Sequence, residues 1–142
     1  IIMKKKLDKF RLIGLKKVKQ EKGDIIKILT KEDLFFKSFG ELYISEIKPH
    51  KIKAWRYHKD STQNLLVIKG SCRVVCIVKN KFKTIELSEN TPKLLIIPKK
   101  HWYGFKNRGS VYVKLLNLSS KKYSEKEILR KKITEIEYDW KK

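Results

Sequence analysis

Arg56, His58, Gln63 and Tyr103 are the residues whose types and spacing can do chemistry. Ile52, Ala54, Arg56 and His58 alternate, so a strand over 52–58 is expected to carry all four on one face. Gln63, Leu65 and Val67 share a face of a returning strand, reached across the polar turn Lys59–Thr62 and ended by Gly70. A face that runs from apolar to basic reads as a barrel interior, packed at one end and open to a ligand at the other. On that face His58 titrates near neutrality and can carry a proton. Tyr103 can donate one. Arg56 can hold a developing anion or clamp a phosphate with two hydrogen bonds, but it cannot act as a base; beside His58 it favours the neutral imidazole. Gln63 can hold a hydroxyl. A base, an acid and a cation are what proton removal beside a carbonyl requires. The same side chains also suit a satisfied polar network or a passive pocket, and the residues alone leave both readings open.

The other candidates are weaker. Trp102 can stack on a nucleotide base or pack in the core. Trp55 and Tyr57 point opposite to Arg56, which suits core or interface. His50 follows Pro49 in a turn and His101 alternates away from Tyr103, so both read as surface. Histidines at 50, 58 and 101 do not form a metal-ligand cluster.

Short strands with turn residues between them position these groups. Ile25–Leu29, Glu41–Ile47, Cys72–Val78, Phe82–Leu87, Leu94–Ile97, Trp102–Phe105 and Val111–Leu118 read as strands. Thr30–Asp33 is a turn or helix-start signal before Leu34-Phe35-Phe36, and Glu125–Lys132 is expected to form a short helix. The organisation expected is a basic N-terminal arm over 1–22, with the extended segment Leu12–Leu15 able to pair at a sheet edge, and a single all-β domain over 23–142. Ile136–Trp140 is expected to pack back on the barrel.

The chain has 142 residues, enough for a real core, with 41% hydrophobic residues. No apolar run approaches the roughly 20 residues of a membrane span, and no secretory signal is visible. Cys72 and Cys76 share one strand face too far apart to bond easily, as buried thiols of a reducing, cytoplasmic compartment would. The net charge is +21, from 36 Lys and Arg against 15 Asp and Glu. Such a field attracts polyanions and suits a nucleoside diphosphate. No Arg-rich helix or RNA-binding motif accompanies it, so sequence-specific nucleic-acid binding is not expected.

The spacing Arg56-x-His58, Gln63, Gly70 resembles the first cupin motif, His-x-His, Glu, Gly. Pro98-x-Lys100-x-x-Tyr103-x-x-x-Asn107 resembles the second, Pro-x-Gly-x-x-His-x-x-x-Asn. The four metal-ligand positions therefore hold Arg56, His58, Gln63 and Tyr103, a set unsuited to the usual metal. Lys53–Lys59, Gly40–Tyr43, Ile97–Lys106 and Glu137–Trp140 resemble the short cupins related to dTDP-4-dehydrorhamnose 3,5-epimerase. Residues 53–75, including Gly70-Ser71-Cys72, also resemble the dTDP-sugar 3,4-ketoisomerases. The resemblance covers roughly residues 23–140. It implies a jelly-roll cupin barrel of the epimerase type, no metal or other cofactor, a homodimer using an N-terminal strand, and a role in surface-polysaccharide biosynthesis. It also implies a nucleotide-linked keto-deoxysugar, carried by dTDP or UDP, as substrate of an epimerase or isomerase. The epimerase motif Arg-Gly-x-His falls on Lys53-Ala54-Trp55-Arg56, so the base position holds Arg56, and the acid Tyr falls at about Asn117. Of the ketoisomerase His-x-His pair only His58 is present. The resemblance thus makes His58 and Tyr103 the catalytic candidates and Arg56, Gln63, Trp102, Lys53 and Asn117 the substrate-binding ones. The alternative is a non-catalytic sugar-nucleotide-binding cupin.

Overall fold

The computed structural model describes residues 9–142. Among the described residues there are twelve strands: β1 (Arg11–Gly14), β2 (Lys17–Val18), β3 (Ile25–Ile26), β4 (Glu41–Ile47), β5 (Ile52–His58), β6 (Gln63–Lys69), β7 (Ser71–Val78), β8 (Lys81–Ser88), β9 (Lys93–Ile97), β10 (Trp102–Lys106), β11 (Val113–Ser119) and β12 (Ile128–Arg130). Two five-stranded sheets face each other, in the orders β1-β9-β6-β11-β4 and β12-β5-β10-β7-β8; β2 and β3 form a separate ribbon. Neighbouring strands pair antiparallel throughout. This is the all-β architecture that the strand pattern implied, and the jelly-roll cupin form of it that the resemblance implied.

Alternation builds the interior. Leu65 and Val67 of β6, Cys72, Val74 and Cys76 of β7, Leu95 and Ile97 of β9 and Leu115 of β11 meet in one buried cluster, with Tyr103 at its edge. Both cysteines are free and buried there, as expected. The outer faces are covered too. Leu66, Leu94 and Ile96 lie under Ile13, Leu15, Ile28, Leu29 and Phe35 of the N-terminal segment. Trp55 and Val75 lie under Trp140, Tyr138 and Ile136 of the C-terminal tail. Of the arm expected over 1–22, residues 1–8 lie outside the described residues, and β1 adds to the edge of this chain's own sheet against β9.

Two expectations are corrected. The helix expected over 125–132 is a single 3-10 turn, Glu125–Glu127, followed by β12. The edge of β5 decides the outcome. Its backbone groups are satisfied when Ile128, Leu129 and Arg130 pair with His58, Tyr57 and Arg56, and when Trp55 and Lys131 exchange N–H···O bonds of 2.9 and 3.1 Å. The single-face alternation of Ile52, Ala54, Arg56 and His58 also fails. A bulge lets Tyr103 pair with Arg56 while Gly104 pairs with Ala54, so Trp55 is extra. The phase changes there. Arg56 and His58 face inward with Tyr103, and Lys53 faces inward opposite Phe105, whereas Ile52 and Ala54 pack outward beneath the tail. A Cβ on Gly104 would come within 2.6 Å of Ala54 Cβ and 3.1 Å of Trp140, so this close approach requires glycine.

The second motif has a structural use of its own. Lys100 stands where the cupin pattern has Gly, and it adopts the left-handed φ of 66° that the position demands. Its N–H donates to His58 O at 2.6 Å and so holds the end of β5. Asn107 is buried and donates to the carbonyls of Ile47 and Val111 while accepting from Gly109 N–H, which closes the turn before β11.

Candidate active site

A cavity of about 600 Å³ opens at one end of the barrel, within the range of small-molecule sites. Lys53 and Arg56 of β5 and Tyr103 and Phe105 of β10 form its inner wall. Arg130, Lys131 and Lys132 close the side, because β12 and the residues after it run along the edge of β5. Five residues with cationic side chains thus line the cavity beside one carboxylate, Glu135, a charge balance that suits an anionic ligand.

Behind Tyr103 lies a buried polar network. Tyr103 Oη is 2.8 Å from His58 Nε2, with the two rings nearly parallel. His58 Nδ1 is 3.2 Å from Glu127 Oε2 and 3.2 Å from Ser61 Oγ. Ser61 donates its hydroxyl to Glu127 Oε1 at 2.6 Å and its backbone N–H to the same oxygen at 2.8 Å. Gln63 Nε2 donates to Ser61 Oγ at 2.9 Å, and Asn117 Nδ2 donates to Gln63 Oε1 at 2.8 Å and to Tyr43 Oη at 2.7 Å. His58, Ser61, Gln63, Tyr103 and Asn117 are all nearly inaccessible to solvent.

Burial governs the proton affinities. It pushes the His58 imidazole below its ordinary value; Glu127 opposes this, and Arg56 and Arg130 reinforce it. The pairing with Glu127 alone would favour an imidazolium, but the dry surroundings outweigh it, so His58 is neutral near pH 7. Burial likewise pushes the Tyr103 phenol well up, with Arg56 opposing. For Glu127, burial raises the carboxyl, but hydrogen bonds from Ser61, His58 and Asp60 N–H outweigh it and keep it below the usual range. Lys53 is lowered, first by burial and then by Arg56.

The structure brings most of the expected residues together. Tyr103, Arg56 and Lys53 line the cavity; His58, Gln63 and Asn117 stand behind it as hydrogen-bond partners. Trp102 is not with them. It lies on the outer face, its ring 5.1 Å from that of Tyr57 and 4.8 Å from Lys131 Nζ, because the residue beside Tyr103 on a strand must point the other way. His50 is exposed and His101 packs against Phe10, both outside the network. Sequence reasoning missed Glu127, Ser61, Tyr43 and the cations of residues 130–132. Ser61 sits in a turn whose polarity is visible in sequence. Glu127 carries no local signal, because only the pairing of β12 with β5 brings it to His58.

The sequence matches the family described as FdtA: WxcM-like, C-terminal, over residues 8–138. No curated protein matches the chain. Among solved structures it is similar to a dTDP sugar isomerase from Desulfovibrio desulfuricans, with 27% identity, 93% of this chain and 90% of the other covered, and a TM-score of 0.83. It is also similar to a histidine-to-asparagine mutant of the 3,4-ketoisomerase QdtA from Thermoanaerobacterium thermosaccharolyticum in complex with TDP-4-keto-6-deoxyglucose, with 25% identity, 86% and 87% coverage and a TM-score of 0.72. The dTDP-4-dehydrorhamnose 3,5-epimerase from Sulfolobus tokodaii shares the fold, with 17% identity, 91% and 80% coverage and a TM-score of 0.79.

Proposed function

The chain belongs to the FdtA family, WxcM-like, C-terminal, and from that premise we propose that it is a metal-independent isomerase of a nucleotide-linked keto-deoxysugar. The nucleotide is dTDP or UDP, and the carbonyl moves between adjacent carbons. One observation carries this reading: Tyr103, a buried residue in the wall of a cationic cavity, shares a 2.8 Å hydrogen bond with the neutral, buried His58.

The proton inventory closes with these groups. In one concerted step the phenolic oxygen removes a proton from the carbon beside the carbonyl as its own proton passes to His58 Nε2, so that no free phenolate forms against the raised affinity of Tyr103 and the lowered affinity of His58. Arg56 and Lys53 hold the resulting enediolate, whose charge develops next to them. The hydroxyl proton passes between the two sugar oxygens. Tyr103 then returns its proton to the neighbouring carbon, and His58 gives back the one it held. A single proton carrier on one side suits transfer between adjacent carbons on one face of the sugar. Epimerisation would require a second acid opposite. A nucleoside-diphosphate 4-keto-6-deoxysugar incubated with the protein in deuterium oxide is expected to gain deuterium beside the carbonyl and to yield the shifted ketone, read by NMR. Absence of exchange across a panel of dTDP- and UDP-keto-sugars would establish the non-catalytic binding alternative.

Arg56 separates binding from chemistry. Arg56→Gln is expected to weaken binding of the nucleotide sugar by about 1–3 kcal/mol, the range for a charged hydrogen bond left unmade. Arg56→Lys keeps the charge without the planar fork and should fall between. Titration calorimetry checks both. Unchanged affinity with reduced turnover would instead place Arg56 on the enediolate alone.

A further inference from the structure

The hydrogen-bond directions around His58 leave one arrangement of its proton. Glu127 Oε1 accepts from Ser61 N–H, Ser61 O–H and Asp60 N–H. Glu127 Oε2 is left to face His58 Nδ1. Ser61 Oγ has spent its hydrogen on Glu127 and accepts from Gln63 Nε2, whose amide is oriented in turn by Asn117. Both atoms near Nδ1, a carboxylate oxygen and a committed hydroxyl oxygen, are therefore acceptors. Nδ1 carries the hydrogen, and the Nε2 lone pair points at the Tyr103 hydroxyl 2.8 Å away.

We propose that Glu127 is a positioning residue: through Oε2, with Ser61 as its support, it fixes the Nδ1–H tautomer of His58, so that Nε2 stays free to accept the Tyr103 proton. The assignment rests on the reaction proposed above for its catalytic consequence, and on geometry alone for the tautomer. Glu127 also stabilises the imidazolium formed when that proton arrives, because its charge lies against Nδ1 at that moment. It is not among the residues that line the cavity.

Glu127→Gln tests this with almost no change of shape. The three donors at Oε1 require the amide oxygen there, which leaves the NH2 group at the Oε2 position facing Nδ1. An NH2 group donates, so Nδ1 must become the acceptor and the hydrogen must move to Nε2. His58 would then donate to Tyr103 instead of accepting from it. An amide replacing the carboxylate that orients a triad histidine leaves geometry intact and costs on the order of 10⁴ in turnover through the wrong tautomer. The primary measurement is the pair of imidazole ¹⁵N shifts of His58 at neutral pH, without substrate. The unmutated protein should show Nδ1–H and Glu127→Gln should show Nε2–H, with melting temperatures close together. Glu127→Asp, which keeps an acceptor, should retain the original tautomer. Where turnover is measurable, Glu127→Gln should lose at least tenfold in kcat with KM little changed, and Glu127→Asp should recover most of it. The same tautomer in both the unmutated protein and Glu127→Gln, or an imidazolium in the unmutated protein, would overturn the assignment. Because the shifts need no substrate, an inverted tautomer in a protein that turns over no keto-sugar would sustain the positioning role while refuting the reaction.

Discussion

Tyr103→Phe is expected to lower kcat by about 10²–10⁴, the usual contribution of a positioned proton carrier, with KM changed little. The phenol is the group of the network that reaches the cavity, while His58 Nε2 is covered by it. Removing the hydroxyl takes away the atom that meets the substrate and leaves His58 Nε2 without a partner. The fold should tolerate the change, because the ring keeps its place in the core beside Phe105, at a cost of about 1–3 kcal/mol for one unmet buried group. Steady-state kinetics and solvent exchange measured on the same preparation decide the matter. If Tyr103 only lines the pocket, kcat will stay within a few-fold of the unmutated value. A lowered kcat with intact exchange would show that Tyr103 serves the return of the proton and that another group removes it.

How much of this site was legible in sequence depends on how local each feature is. His58, Gln63 and Tyr103 were identified from spacing because cupin motifs place side chains by strand alternation and short turns, both of which are properties of neighbouring residues. The inward phase of Gln63, Leu65 and Val67 held because β6 is regular over that stretch. The phase of β5 failed because the bulge at Trp55 is set by its partner β10, where Gly104 leaves room for the tail. Alternation over a single strand cannot show where a neighbour has one residue fewer. Trp102 was misplaced for a related reason: chemical suitability for a nucleotide base was weighed without the consequence that Tyr103 already occupied the inner face. Glu127 lies 69 positions from His58 in sequence, and its neighbours have helix-like composition. Helix propensity is a weak prior over so few residues, and pairing with the open edge of β5 overrode it.

Loss of the tail's anchor should be the largest single blow to stability. Trp140 is buried, with its ring 5.1 Å from Trp55 and 4.8 Å from Tyr138, and it fills the space that Gly104 leaves open. Phe82 packs against Tyr138, with ring centroids 4.8 Å apart and the planes tilted by 58°, and completes the cluster. The backbone is held as well, since Lys106 donates to Trp140 O. Trp140→Ala empties a large aromatic site beneath which Trp55 and Val75 are packed, and is expected to cost roughly 3–5 kcal/mol, or on the order of 10 °C in Tm for a chain of this length. The indole N–H of Trp140 is buried with no hydrogen-bond partner. Trp140→Phe removes that unmet donor along with part of the packing, so the two changes offset and this variant should lose much less than Trp140→Ala. The tail also carries Lys131, Lys132 and Glu135 into the cavity wall. An unanchored wall should therefore raise KM for the nucleotide sugar more than it lowers kcat, since Tyr103 and His58 sit on β10 and β5 and keep their hydrogen bond. Thermal melts and kinetics on Trp140→Ala and Trp140→Phe give both readings. Equal losses in the two variants would mean that the ring's volume beyond a phenyl group, not the anchoring of the tail, sets the stability. A lowered kcat at unchanged KM would mean that the tail positions the proton carriers, not the substrate.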